Sequence, residues 1–281
     1  AVTFARRGDG WAIDGTARAD ALMVGLGDGS ALVTDAVTLA AAPADDGRTA
    51  LDIDAGPLRY GRLAVDAIRL DAVTDGITGD FTATLDSATP IIPDTEAAGR
   101  FASADALVVT LDRAQLIQDG ATWRLTAPAT LTQADNGTTI SPFTIAGDGG
   151  EIRLDAATAP DRIRANLRAD GVPLRLFAAA DSRLNADGRI SGTVALDTAR
   201  AGAIGTADLT LADYRPRLGG VELDPTRGSF ALSLTRTRLD ADVKLATDTA
   251  SELTATVAVP VTVNGNAIAF PPDGRLSGRI A

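Results

Sequence analysis

Apolar and polar residues alternate along this chain with a period of two. Leu239, Ala241, Val243 and Leu245 stand between Asp240, Asp242 and Lys244. Leu253, Ala255, Val257, Val259, Val261 and Val263 share one parity, with Thr254, Thr256 and Thr262 on the other. Trp123, Leu125, Ala127, Ala129 and Leu131 repeat the pattern, as do Ile163, Ala165, Leu167 and Ala169 among Arg162, Arg164, Asn166 and Arg168. Phe81, Ala83 and Leu85 follow it, and so do Phe230, Leu232 and Leu234. A period of two sends alternate side chains to opposite faces of a sheet. One apolar and one polar face describe half-buried antiparallel strands, not the doubly covered strands of a parallel sheet.

The punctuation agrees. Asp-Gly, Asn-Gly or Gly-Gly pairs fall at 9–10, 28–29, 46–47, 75–76, 119–120, 136–137, 149–150, 170–171, 187–188, 219–220 and 273–274. Such pairs supply the positive φ that tight hairpins need. Their spacing predicts about 18 to 22 short strands. Helix signals are scarce. The best is Pro173 to Ala180, with Leu174, Leu176, Phe177 and Ala180 at helical spacing behind a first-turn proline. Asp94 to Ala104 reads as a loop or helical turn. We expect an all-β chain with at most one or two short helices. It forms a single elongated segment over 1–281, with a candidate sub-boundary near 171–187. The chain opens inside what reads as structure and stops at Ile280-Ala281 as a new strand begins, so we expect a segment of a longer protein.

One pattern recurs. Gly188-Arg189-Ile190-Ser191-Gly192-Thr193-Val194 matches Gly274-Arg275-Leu276-Ser277-Gly278-Arg279-Ile280, with a weaker copy at Gly76-Ile77-Thr78-Gly79-Asp80-Phe81. Each is a turn glycine, then a strand with a second glycine inside it. Repeated strand units point to an elongated array.

Chemistry is conspicuous by what is missing. Histidine and cysteine are absent, which removes the commonest general base, thiol nucleophiles and thiolate zinc sites. Lys244 is the only lysine, on the polar parity of a strand. No nucleophile elbow or phosphate-binding loop occurs. The many aspartates sit mostly beside turn glycines, where backbone geometry favours them. Carboxylate pairs for glycoside cleavage and oxygen cages for Ca²⁺ are poor readings beside that. We expect no catalysis, no cofactor and no metal. A net charge of −11 argues against nucleic acid and against an anionic lipid surface. No stretch is long and apolar enough to span a bilayer as a helix.

The aliphatic face is the one functional surface left. Apolar residues make up 45% of the chain but aromatics only 4%, so burial must be spread over many small aliphatic side chains. Alternation alone leaves two readings open: the core of a closed sandwich or barrel, or the wall of a groove. The aromatic girdles of a lipid-facing outer-membrane barrel are missing.

The carboxy-terminal part carries a resemblance. It reads Val172-Pro173-Leu174-Arg175-Leu176-Phe177, then Asp187-Gly188-Arg189-Ile190-Ser191-Gly192-Thr193-Val194-Ala195-Leu196, then Ala207-Asp208-Leu209-Thr210-Leu211. After these come Leu253 to Pro260, Val261 to Phe270, Pro271-Pro272 and Asp273 to Gly278. Over about Ala121 to Ala281 this order resembles the TamB family of AsmA-like proteins, whose YdbH-type relatives share the architecture. The resemblance implies a long curled antiparallel sheet, a β-taco open along one edge. It implies the periplasm of a Gram-negative bacterium, as part of a protein anchored in the inner membrane. It also implies an Omp85-type outer-membrane partner, TamA, met through parts outside this chain. The function implied is phospholipid movement between the membranes, or outer-membrane protein assembly.

On that expectation phospholipid or other acyl-chain lipid lies against Leu125, Leu131, Ile163, Leu167, Val194, Leu196, Leu209, Leu211, Phe230, Leu232, Leu234, Val243, Leu245, Val257, Val259, Val261 and Val263. Each buried methylene contributes about 0.8 kcal/mol, so many weak contacts suffice. A second reading is a scaffold whose sheet edges template strands of client barrels. A glycan-binding β-domain ranks last, because Trp11, Trp123, Tyr60 and Tyr214 are widely scattered.

Overall fold

The computed structural model of the chain describes residues 2–7, 10–25, 31–60, 63–87, 89, 92–118, 120–178, 187–199, 204–215, 217–218, 221–222, 224–247, 251–264, 267–269 and 277–281. The chain divides into two units, Ala1–Ala134 and Asp135–Ala281.

The first unit holds β1 (Val2–Arg7), β2 (Gly10–Gly25), β3 (Ala31–Pro43), β4 (Thr49–Tyr60), β5 (Leu63–Thr74), β6 (Thr78–Ser87), β7 (Asp94–Ser103), β8 (Leu107–Gln118), β9 (Ala121–Leu125) and β10 (Ala129–Ala134). Each strand from β1 to β9 pairs antiparallel with its chain neighbour. β9 lies along the second half of β8, and β10 pairs with its first half, Leu131 opposite Val109.

The second unit holds β11 (Gly137–Gly147), β12 (Gly150–Ala159), β13 (Arg162–Pro173), α1 (Arg175–Ala178), β14 (Asp187–Asp197) and β15 (Gly205–Arg215). It continues with β16 (Arg217–Leu218), β17 (Val221–Glu222), β18 (Thr226–Leu234), β19 (Arg238–Thr247), β20 (Glu252–Pro260), β21 (Thr262–Asn264), β22 (Ala267–Ala269) and β23 (Ser277–Ile280). Its ladder runs β11-β12-β13-β14-β15-β18-β19-β20-β23, antiparallel throughout. Two small hairpins, β16–β17 and β21–β22, are let into it.

The fold is all-β and antiparallel, as the alternation requires. The strands exceed the short ones expected, many running ten residues or more. Three local expectations need correction. Asp94 to Ala104 is not a loop: Asp94–Ser103 is β7, paired on both sides. Its inward set is Thr95, Ala97, Gly99 and Phe101, so small side chains hide the alternation. The Asp170-Gly171 pair is not a hairpin. Gly171, at φ 57, sits in a bulge where the β13–β14 register shifts between Ala169 and Val172. Its N–H donates to Ser191 Oγ at 2.8 Å, and its carbonyl accepts from Arg189 Nη1 at 2.5 Å. The helix is one turn, Arg175–Ala178, because Pro173 ends β13 and Leu174 N–H bonds the Gly188 carbonyl instead. Ala180 lies outside the described residues, as do the glycine pairs at 28–29, 219–220 and 273–274.

Elsewhere the turn chemistry is as expected. Asp148 and Gly149, both left-handed at φ 49 and 72, close the two-residue hairpin between β11 and β12. The inner glycines of the recurrent pattern have a packing reason. Gly79 faces Phe101, Gly192 faces Leu209 and Gly278 faces Val257, all on the apolar parity. A Cβ at Gly79 would meet the Phe101 ring at 2.6 Å, and one at Gly192 would run into the Asp208 carbonyl oxygen. Gly192 also has φ 146. Gly192→Ala is therefore expected to cost about 1–3 kcal/mol of stability. A thermal midpoint unchanged from the parent would contradict the close β14–β15 approach.

Candidate functional site

Directly opposed residues in an antiparallel ladder point to the same face, so the registers define the apolar surface of each unit. In the second unit one row runs Leu154, Leu167, Val194, Ala207, Leu232, Ala241, Val257, Gly278. The row beside it runs Ile152, Ala169, Gly192, Leu209, Phe230, Val243, Ala255, Ile280. Leu196, Leu234, Leu239 and Val259 flank the first row, and Ile190, Leu211, Leu245 and Leu253 flank the second. The structure thus brings Leu167, Val194, Leu196, Leu209, Leu211, Phe230, Leu232, Leu234, Val243, Leu245, Val257 and Val259 onto one face. Ile163, opposite Thr158, continues it at one end of β13.

Val261, one residue past β20, lies at the end of this wall. It is buried beside Ile204, with Leu234, Leu239 and Val259 packed on the pair. Its N–H bonds the Thr237 carbonyl at 3.0 Å, so it plugs one strand end of the face. The Val263 side chain lies outside what is described. Leu125 and Leu131 belong to the first unit.

The first unit has its own apolar face. Its rows include Val37, Ala55, Ile68, Leu85, Thr95, Leu116, Trp123, and beside it Leu39, Ile53, Leu70, Ala83, Ala97, Ala114. A third runs Ala41, Leu51, Ala72, Phe81, Gly99, Leu111, Ala129, and a fourth ends Gly79, Phe101, Val109, Leu131. Sequence reasoning passed over most of this wall. The signal was present in Leu51 and Ile53 against Asp52 and Asp54, and in Ile68, Leu70 and Ala72 against Arg69 and Asp71.

Neither face is the dry core of a sandwich. Most of the large aliphatics are half-buried, Val194 is 38% exposed and Leu253 45%. Full burial falls mainly on alanines, on Trp123 and on strand-end residues such as Val172 and Ile204. Where the rows carry Ala or Gly the surface is hollowed. An open hollow of about 430 Å³ crosses β3 to β6 beside Ala41, Leu51, Ala72 and Phe81. Others of about 370 and 380 Å³ lie along Ala83, Ala97, Ala114 and Leu125, and along Ala241, Val257 and Gly278. Trp123 is 2% exposed, and its Nε1–H is the one buried side-chain donor without a partner among the described residues.

The opposite faces are polar. In the first unit Asp54 pairs with Arg69 at 3.3 Å, and Arg100 with Asp112 at 3.0 Å. Asp52 opposes Asp71 directly. Lost hydration raises its carboxyl above the ordinary range, and the charges of Asp54 and Asp71 add to this. Asp75 goes the other way: N–H donors of Thr78 and Ile77, at 2.6 and 2.8 Å, hold it low, helped by the Thr78 hydroxyl. In the second unit Arg162 grips Asp197 through two bonds of 3.0 and 2.6 Å, which raises the guanidinium further. Among the described residues no three His, Cys, Asp or Glu side chains are arranged to hold a metal ion. What the arrangement offers chemically is a broad aliphatic wall backed by a charged, hydrated one.

The fold and this surface define an antiparallel β-sheet protein with an incompletely covered aliphatic face. Comparison with protein families, with curated proteins and with solved structures finds no match.

Two predictions follow from the titrating and buried groups. The folded Asp75 carboxyl lies below its unfolded value, so its stabilisation is complete above about pH 4 and fades as pH falls. The raised Asp52 has the opposite sign. Asp52→Asn should therefore raise the thermal midpoint at pH 7 with the gain gone by about pH 3, while Asp75→Asn lowers it at pH 7. Midpoints from pH 3 to 8 decide between these and no effect. Trp123→Phe removes the unpaired donor along with little volume and should stay within about 1 kcal/mol of the parent, whereas Trp123→Ala should lose about 3–5 kcal/mol in urea unfolding.

Proposed function

We propose that the chain is a periplasmic β-sheet segment that shields lipid acyl chains during phospholipid transport between inner and outer membranes, as in the TamB-like proteins its motifs resemble. The observation that carries this is the half-exposed aliphatic face of the second unit, unbroken from Leu154 to Val257 across seven strands. A closed core would bury such rows, and a specific small-molecule site would set a few polar groups among them. Acyl chains are flexible and featureless, so a smooth aliphatic wall is what they need. The polar backing keeps the other face hydrated.

A second reading is strand templating for client barrels. In it the backbone N–H and C=O groups along a sheet edge pair with an incoming strand.

Photo-crosslinking residues placed at Leu232 and Val243, with the whole protein in cells, should capture phospholipid. Leu232→Asp should block carriage, while Leu232→Ala, which leaves the wall apolar, should barely change it. Capture of protein strands at β23 and of no lipid at the wall would replace the first reading with the second.

A further inference from the structure

Asn136-Gly137, in the turn that leads from β10 into β11, is the one Asn-Gly pair whose two residues are both described. Asn136 is exposed, and its carboxamide has no hydrogen-bond partner among the described residues. Other turn carboxylates are held: Asp75 accepts from the N–H groups of Ile77 and Thr78, and Asp46 from Arg48 Nε at 2.6 Å. Asn166 is held too. It stands inside β13, donates through Nδ2 to Asp155 Oδ2 at 2.8 Å, and precedes Leu167. Gly137 has φ 145, in the region that favours glycine, and no side chain shields its main-chain nitrogen.

These two residues hold the parts of a ring closure. The Gly137 nitrogen loses its proton to base and attacks Asn136 Cγ. A carbon–nitrogen bond forms, the side-chain carbon–nitrogen bond breaks, and ammonia leaves with a proton from water. Water then opens the five-membered ring at either carbonyl. One opening leaves aspartate. The other leaves isoaspartate, whose Cβ has entered the main chain. Water is the only co-reactant.

The surroundings give the longer backbone a defined effect. Gly137 has no room to shift towards β12, since even a Cβ on it would run into the Thr158 carbonyl oxygen. Thr138 N–H donates to Thr158 Oγ1 at 3.1 Å. Three pairs follow, Thr138–Thr158, Thr139–Ala157 and Ile140–Ala156, before the register shifts ahead of Phe143. Ile140 is the β11 end of an apolar row that continues through Ala156, Ala165 and Leu196.

We propose that Asn136 is a self-modifying site. It converts to isoaspartate through the Gly137 nitrogen, and the lengthened chain frees Thr138 to Ile140 from β12 while the ladder beyond the bulge holds. Nothing in this depends on what covers the aliphatic wall.

The test is to hold the whole protein in mildly alkaline buffer and sample it over time. Peptide mapping, with isoaspartyl methyltransferase and a tritiated methyl donor as the probe, should find isoaspartate at position 136, at a rate that rises with pH. Mapping also separates it from Asn264-Gly265, whose glycine lies outside the described residues. Asn166 should convert about tenfold or more slowly, because β13 must open first. Asn136→Gln should lose the product and keep the parent's thermal midpoint. Asn136→Glu supplies the new charge without the extra main-chain atom. In amide hydrogen exchange the aged protein should lose protection between Thr138 and Ile140 and keep it from Phe143 to Ala146, while fresh Asn136→Glu loses neither. Equal conversion of Asn136 and Asn166, a rate flat with pH, exchange unchanged after conversion, or the same loss in Asn136→Glu would each overturn the proposal.

Discussion

The antiparallel ladder is the constraint from which the rest of this protein follows. Its pairs fix which side chains share a face, and a slip of one residue would turn every aliphatic row outward. The chain holds its register by local means. Two-residue turns such as Asp148-Gly149 set the offset between neighbours, and bulges at Gly171 and between Leu211 and Tyr214 absorb the surplus residues without losing parity across the sheet. Polar bonds pin these irregularities: Arg189 reaches from β14 to the carbonyls of both Gly171 and Asp148, and Arg175 of α1 pairs with the Asp148 carboxylate.

Small residues do the second job. Gly79, Gly192 and Gly228 lie where a neighbouring strand or a large side chain comes close, so Phe101 and Leu245 lie over them. Alanine takes about half of the buried apolar positions among the described residues. The result is a surface with low relief and shallow hollows, low in aromatics because no deep core requires them. A wall of this kind has little to offer a rigid, polar ligand and a good deal to offer a chain of methylenes.

The sequence made the fold legible wherever large aliphatics mark the inward parity, as in β13, β18, β19 and β20. It was silent where the inward set shrinks to Thr95, Ala97 and Gly99, since an alternation of small residues with small residues carries no hydropathy signal. Asp170-Gly171 misled for a related reason: a left-handed glycine serves a bulge as well as a turn, and only the neighbouring strand decides which. Most of the wall of the second unit could be read residue by residue. Val261 keeps the parity of β20 one residue past its end and packs with Leu234, Leu239 and Val259, but its full burial beside Ile204 carried no signal in the alternation.

Almost every ladder in either unit joins strands that are neighbours in the chain. Contacts of this kind close short loops, so ordering them costs little chain entropy at each step. A sheet built so can assemble from either end, one hairpin upon the last, with no need for distant segments to meet first. For a polypeptide delivered vectorially, as through a secretion pore, each arriving hairpin would find its template already in place, and the exposed edge awaiting a mate would never be more than one strand wide.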